Sequence, residues 1–172
     1  MSKYICSAAL LLFLTLSTLS GSTGIIYRDL HGVESAIQAE FVLNGSADDI
    51  WRLLTDYQNS NVIMPNIEKT TVLKKEKNET LVKTTVKQGV FTMTYTSTLH
   101  ENKQQYHITW NQVEGPFSKN SGSWKLNPIT DTQTAVIYTI ELNHPLMPSS
   151  VRNSLIKKSI PDMYLALKEQ LQ

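Results

Sequence analysis

Hydrophobic and polar positions along this chain follow three rhythms. Ile5 to Leu16 is a largely apolar run, the middle of the chain alternates at a period of two, and the last stretch repeats at helical spacing. The alternation begins at Ser35–Leu43, where Ile37, Ala39, Phe41 and Leu43 share one parity, the pattern of a strand buried on one face. Asn44 and Gly45 break it. Ser46 then stands as a helix N-cap with Asp49 three residues on, and the carboxylates of Asp48 and Asp49 suit the positive end of that helix. Ile50, Trp51 and Leu54 fall on one face, which predicts a short helix packed under a sheet. It runs out near Asp56 and Tyr57, and a second short turn through Asn61–Met64 stops at Pro65.

Six further strands are predicted at meander spacing, separated by short polar turns. Ile67–Lys74 and Thr80–Gln88 come first, joined by the charged turn Lys75–Glu79. Phe91–Leu99 follows, with Phe91, Met93, Tyr95, Ser97 and Leu99 inward. Tyr106, Ile108 and Trp110 share the inward parity of the next strand, which leaves His107 outward. Trp124 and Leu126 alternate with Ser123 and Lys125, and the last strand offers Val136, Tyr138, Ile140 and Leu142. From Ser149 to Leu171 the period becomes helical, with a stripe of Val151, Leu155, Ile160, Met163, Tyr164, Leu167 and Leu171. Pro161 lies inside that stretch and predicts a kink or a split in two.

This order of parts predicts an α+β domain: an antiparallel sheet of about seven strands, two short helices after the first strand, and one long helix at the end. The terminal helix has no later element to cover it, so its apolar face belongs on the concave side of the sheet. Such an arrangement leaves a ligand-sized cavity between sheet and helix.

The front of the chain changes the picture of where the protein works. Lys3 supplies a small positive charge, the apolar run is too short to span a membrane, and small residues follow at Ser17, Ser20, Gly21, Ser22 and Gly24. Residues 1–24 therefore read as a secretory signal and 25–172 as one domain, with Gly24–Gly32 a polar leader between them. An uncleaved N-terminal anchor is the competing reading. Cys6, the single cysteine, begins the apolar run instead of ending it, which argues against lipidation and leaves the mature domain without disulfide or thiolate chemistry. Net charge is +1 with Lys3 included, and no basic nucleic-acid footprint stands out.

The segment GSADDIWRLLTDY at Gly45–Tyr57, followed by Met64 and Pro65, resembles the opening of the START-like superfamily of polyketide cyclases and lipid-transport proteins with the helix-grip fold. The resemblance continues through VEGPF at Val113–Phe117, GSW at Gly122–Trp124, Thr134, Tyr138 and Pro145, then the terminal helix with Pro161. Together these look most like the branch that includes coenzyme Q-binding START-domain proteins and bacterial relatives. The resemblance covers nearly all of the expected mature chain. It implies a deep apolar cavity between a curved sheet and the terminal helix. Relatives in that branch act inside the mitochondrion or the cytosol, and a signal segment sets this chain apart from them. Absence of disulfides and a compact signal point to a bacterial source and a periplasmic or secreted protein.

Met93, Tyr95, Tyr106, Trp110, Trp124 and Tyr138 share the inward surface, and Met64, Leu155 and Met163 complete the expected ligand-binding set. Flexible thioethers and aromatic rings with a few polar tips suit a lipid, quinone or polyketide-like ring. Any one of them also serves as plain core. Asp56 at the wrong end of its helix reads as a cap that needs a partner, and Glu114 as a turn residue or an acid–base group. His31, His100, His107 and His144 have no metal-ligand spacing, no serine sits in a nucleophile elbow, and no glycine-rich phosphate loop follows a strand. The expectation is an exported carrier of a hydrophobic small molecule or lipid, with no cofactor, no metal, no nucleic acid and transient membrane contact. Two other readings stand beside it: a polyketide cyclase-like enzyme using Tyr95, Tyr138 or Glu114, and an interaction module with a filled cavity.

Overall fold

Eight antiparallel strands form one sheet: β1 (Ile26–Asp29), β2 (Ala36–Leu43), β3 (Ile67–Lys75), β4 (Glu79–Gln88), β5 (Phe91–Asn102), β6 (His107–Glu114), β7 (Lys119–Thr130) and β8 (Gln133–Asn143). The computed structural model describes residues 24–30, 36–88 and 91–172, so the expected signal segment lies outside the described residues up to residue 23. Spatial order is β1-β2-β8-β7-β6-β5-β4-β3. Every neighbour is a hairpin partner in sequence except β2 and β8, whose pairing from Ala36↔Glu141 to Leu43↔Thr134 joins the start of the domain to its end. Helix α1 (Ala47–Thr55) and a 3₁₀ turn (Tyr57–Val62) connect β2 to β3, and α2 (Ser149–Gln170) follows β8. No helix among the described residues is long and apolar enough to cross a membrane.

Local chemistry explains the elements. The Ser46 hydroxyl accepts from the Asp49 amide at 3.1 Å, so α1 starts where its cap predicts, and Ile50, Trp51 and Leu54 are buried on one face. Asp56 closes the helix and accepts from Asn59 Nδ2 at 2.8 Å, the partner its position requires. The tightest packing lies where β2, β8, α1 and α2 meet: Ala39, Leu43, Ile50, Val136 and Leu167 are fully buried. Thr134 donates its hydroxyl to the Gly45 carbonyl at 2.9 Å and ties the β2–α1 turn to β8.

Five sequence expectations are corrected. The stretch expected as a polar leader contains β1, paired with β2 from Ile26↔Glu40 to Asp29↔Ile37, so the sheet has eight strands instead of about seven. Four residues are too few to display an alternation, and the strand is fixed by tertiary contacts: Ile25 enters the core and Arg28 pairs with Glu40 at 2.7 Å. The second short turn is Tyr57–Val62, not Asn61–Met64. Pro161 does not divide the last helix, which runs as one element from Ser149 to Gln170. A proline leaves the carbonyl four residues earlier without its helical donor. That carbonyl belongs to Lys157, and the Tyr27 hydroxyl of β1 donates to it at 3.2 Å. Finally the helical stripe is rotated: Arg152, Ile156, Ile160, Met163 and Leu167 are buried, while Val151 is exposed, as is Phe91 at the start of β5.

Candidate functional site

Inward positions of β4 to β8 and one face of α2 enclose a cavity of two adjoining lobes. The outer lobe, about 150 Å³, lies against α2 between Met93, Phe117, Leu142 and Met147 on one side and Leu155, Ile156 and Met163 on the other. The inner lobe, about 120 Å³, lies between α1, the 3₁₀ turn and strands β3 to β8, with Leu54, Ile63, Val82, Ile108, Trp110 and Trp124 in its wall. Met64, Ile67, Tyr95, Asn120, Tyr138 and Ile140 border both lobes and form the waist between them. An apolar cavity of about 150 Å³ is known to take one benzene-sized ring, so each lobe is on the scale of a single ring.

All methionines but Met1 line the outer lobe: Met64, Met93, Met147 and Met163. Unbranched thioethers repack around irregular shapes at little cost, which suits a wall that changes when something enters. The aromatic wall is stiffer. Trp110 stacks on Tyr138 with ring centres 5.8 Å apart, and Tyr138 also meets Trp124 at 4.4 Å. Gly122 makes this stack possible, because a Cβ there would lie 2.2 Å from the Thr139 carbonyl and 2.3 Å from the Trp110 ring. Gly115, with φ of 147°, similarly leaves room for the Tyr95 side chain.

Polar atoms in the walls are few, and several are tied to one another. Trp110 Nε1 donates to Asn120 Oδ1 at 3.3 Å, and the Asn120 side chain also hydrogen-bonds the Tyr95 hydroxyl, so one amide holds two wall rings. Burial pushes Tyr95 up to about 12, against which the Asn120 bond works, and burial raises Tyr138 too, helped by the nearby Tyr95 phenol. Tyr57 donates to Glu101 Oε1 at 3.0 Å, and burial raises its phenol as well, so all three stay protonated near neutral pH. Arg152, 4 % exposed, is the one side chain carrying a full charge among the described residues that line either lobe; its Nη1 donates to Asn143 Oδ1 at 3.2 Å. Ser97 in the inner lobe carries a fully buried hydroxyl with no hydrogen-bond partner, the residue being 3 % exposed.

Eight of the nine residues expected at the site lie in these walls: Met64, Met93, Tyr95, Trp110, Trp124, Tyr138, Leu155 and Met163. Tyr106 is placed elsewhere. It takes a left-handed conformation with φ of 48° after the 3₁₀ turn Lys103–Gln105, stands edge-on to Trp51, and donates to Asp48 Oδ1 at 3.0 Å. It packs inward against the core as its parity predicts, but beside α1 and not in the cavity wall, because the chain turns there instead of continuing the strand. Glu114 is exposed at the end of β6 and borders neither lobe. Asn120 and Arg152 were missed by sequence reading. Carrying the parity of Trp124 and Gly122 two residues further back reaches Asn120, and the spacing 152, 156, 160, 163, 167 reaches Arg152 once a cation is admitted to an apolar stripe. Among the described residues no group of three or more His, Cys, Asp or Glu is placed to hold a metal ion.

The family described as polyketide cyclase/dehydrase and lipid transport matches residues 43–168, from the end of β2 through nearly all of α2. The chain belongs to this START-like family. Its helix-grip architecture is shared by a STAR-related lipid transfer protein from Xanthomonas axonopodis, 20 % identical over 89 % of this chain and 96 % of that one, with a TM-score of 0.68. A START superfamily protein from Mycobacterium smegmatis is 13 % identical over 79 % and 96 %, with a TM-score of 0.69. The Zhui aromatase/cyclase from Streptomyces sp. R1128 is 18 % identical over 79 % and 90 %, with a TM-score of 0.65. At these identities the START-like neighbours share a fold with this chain and nothing finer. Comparison with curated proteins finds no match.

Proposed function

We infer that this START-like protein is an exported carrier that sequesters a hydrophobic small molecule, of lipid, isoprenoid or quinone-like character, between its sheet and α2. The observation that carries this reading is the two-lobed cavity, walled by four methionines and stacked aromatic rings, with a single charged side chain among the described residues at its border. Apolar burial at about 25 cal/mol per Å² holds such a ligand without chemistry. Lobes on the scale of one ring favour a compact ligand over one with two long acyl chains. Export rests on the apolar run Ile5–Leu16 and the small residues after it. Ile25 packs in the core, which supports a cleavage site that leaves it on the mature chain.

Loading from a membrane surface fits the outer rim. Phe91 and Leu146, 69 % and 87 % exposed, stand close in sequence to the outer-lobe residues Met93 and Met147. Paired Phe91→Ser and Leu146→Ser changes should slow ligand transfer from vesicles while leaving the unfolding free energy within about 0.5 kcal/mol of wild type.

A cyclase reading is supported by one feature, the two protonated phenols of Tyr95 and Tyr138 at the waist. They are suited to donate a hydrogen bond to a carbonyl and unsuited to act as bases. Native mass spectrometry of protein from its own host, with N-terminal sequencing, tests the carrier reading: a non-covalent hydrophobic adduct on a chain that begins between Gly21 and Ile25 is expected. An intact Met1, or turnover of a polyketide substrate that Tyr138→Phe abolishes, would replace it.

A further inference from the structure

The inner lobe contains a polar mismatch that the packing of the protein does not resolve. Ser97 sits in the middle of β5, is 3 % exposed, lines the inner lobe, and its Oγ meets no hydrogen-bond partner. A buried hydroxyl without a partner is destabilising, and alanine at the same place would carry no such penalty. Other inner-lobe hydroxyls show what satisfaction looks like here. Ser60 and Thr70 share a hydrogen bond of 2.7 Å, and Tyr57 donates to Glu101. At the waist, the Tyr95 hydroxyl is held by Asn120. Gln112 Oε1, the other buried atom without a partner among the described residues, borders neither lobe, and its amide nitrogen is already tied to the Phe117 carbonyl at 2.8 Å in the β6–β7 turn. Of the two fully buried side-chain atoms without a partner among the described residues, only Ser97 Oγ belongs to a residue of the cavity wall.

We propose that Ser97 is the polar anchor of the binding site: the ligand is an apolar, ring-sized molecule bearing a neutral oxygen, a hydroxyl or carbonyl, which enters the inner lobe first and hydrogen-bonds Ser97 Oγ. This rests on the carrier reading above and adds the ligand's polarity and orientation to it. The oxygen is neutral because no charged side chain among the described residues lines the inner lobe to compensate an anion or cation. Its apolar remainder points through the waist towards the methionines of the outer lobe. A serine hydroxyl both donates and accepts, so Ser97 serves an alcohol or a ketone equally.

The test uses an isosteric pair, 4-methylphenol and 1,4-dimethylbenzene, titrated by NMR into wild type, Ser97→Ala and Tyr138→Phe. Comparing affinity ratios between proteins cancels the probes' different hydration. Ser97→Ala should bind 4-methylphenol about three- to tenfold more weakly, the range of one hydrogen bond, while its affinity for 1,4-dimethylbenzene is unchanged or improved. Its urea midpoint should equal or exceed that of wild type, since an orphaned hydroxyl has been removed. Tyr138→Phe should keep the wild-type ratio. If the ratio survives in Ser97→Ala, a trapped water or another group satisfies the hydroxyl and the assignment is wrong. If it collapses in Tyr138→Phe instead, the oxygen belongs at the waist and the assignment is again wrong; in both cases binding itself stands. Wild type binding neither probe would overturn the carrier reading, and this proposal with it.

Discussion

The two halves of the sheet are built to different rules. Where β2 and β8 meet α1 and the C-terminal part of α2, inward positions are filled by Ala39, Leu43, Val136 and Leu167, none of them measurably exposed. Across β4 to β7, inward positions include Thr84, Ser97 and Asn120 among larger rings, and the two lobes lie there. A surface of small polar and large rigid side chains cannot interdigitate with a helix as a uniformly aliphatic one does. The difference teaches a division of labour: the closed half holds the fold together and the open half provides space.

Charge placement at two levels of α2 breaks that comparison most severely. Leu167→Asp puts an unpaired carboxylate into the closed half, a penalty comparable to the stability of a typical domain, and the variant should not fold. Leu155→Asp places the same charge on the half-buried border of the outer lobe, where water can reach it. That variant should fold with a lowered urea midpoint and lose binding of an apolar probe. Equal midpoints for the two variants would erase the distinction between the halves.

A smaller effect is expected at the seam. Gly122→Ala sets a methyl against the Thr139 carbonyl and the Trp110 ring, and the backbone cannot yield as a side chain would. A loss of about 1–3 kcal/mol follows, the usual cost of overpacking, and circular dichroism during urea unfolding measures it. Near-ultraviolet signals should change too, because the Trp110–Tyr138 stack must shift.

The smallest effect is confined to alkaline solution. Burial raises the phenols of Tyr57, Tyr95 and Tyr138 in the folded protein, Tyr95 to about 12, whereas in the unfolded chain they ionise near pH 10. A folded value above the unfolded one means that the Tyr95 contribution is whole below about pH 10 and is lost as pH climbs toward about 12, with Tyr57 and Tyr138 losing theirs at higher pH still. Tyr95→Phe removes one of these titrations, so its urea midpoint should fall less steeply with pH over that range than wild type. Parallel slopes would place the Tyr95 phenol in contact with solvent.

Strand and helix periodicity made the closed half legible, since aliphatic alternation and a capped helix are local signals. Cavity-wall aromatics on β5 to β8 were legible for the same reason, as Tyr95, Trp110, Trp124 and Tyr138 keep strict parity with core neighbours. What escaped was set by contacts distant in sequence. Strand β1 exists because Arg28 and Ile25 find partners across the ladder and in the core, and α2 survives Pro161 because Tyr27 meets the Lys157 carbonyl from 130 positions away. Tyr106 was misplaced because a left-handed turn has no signature in alternation. Arg152 and Asn120 were missed because polar residues in an apolar pattern read as interruptions, whereas in a cavity wall they supply direction.

The central claim is that the space between sheet and α2 admits a small hydrophobic molecule, and the methionines report on it directly. In a protein labelled with ¹³C at the methionine methyls, titration with 1,4-dimethylbenzene should shift Met64, Met93, Met147 and Met163 together through the ring current, all four being wall residues of the outer lobe. Saturable shifts of these four with one dissociation constant are the predicted result. Four unmoved methyls up to the solubility limit of the probe, in a protein that is folded by every other signal, would mean a filled core and contradict the account.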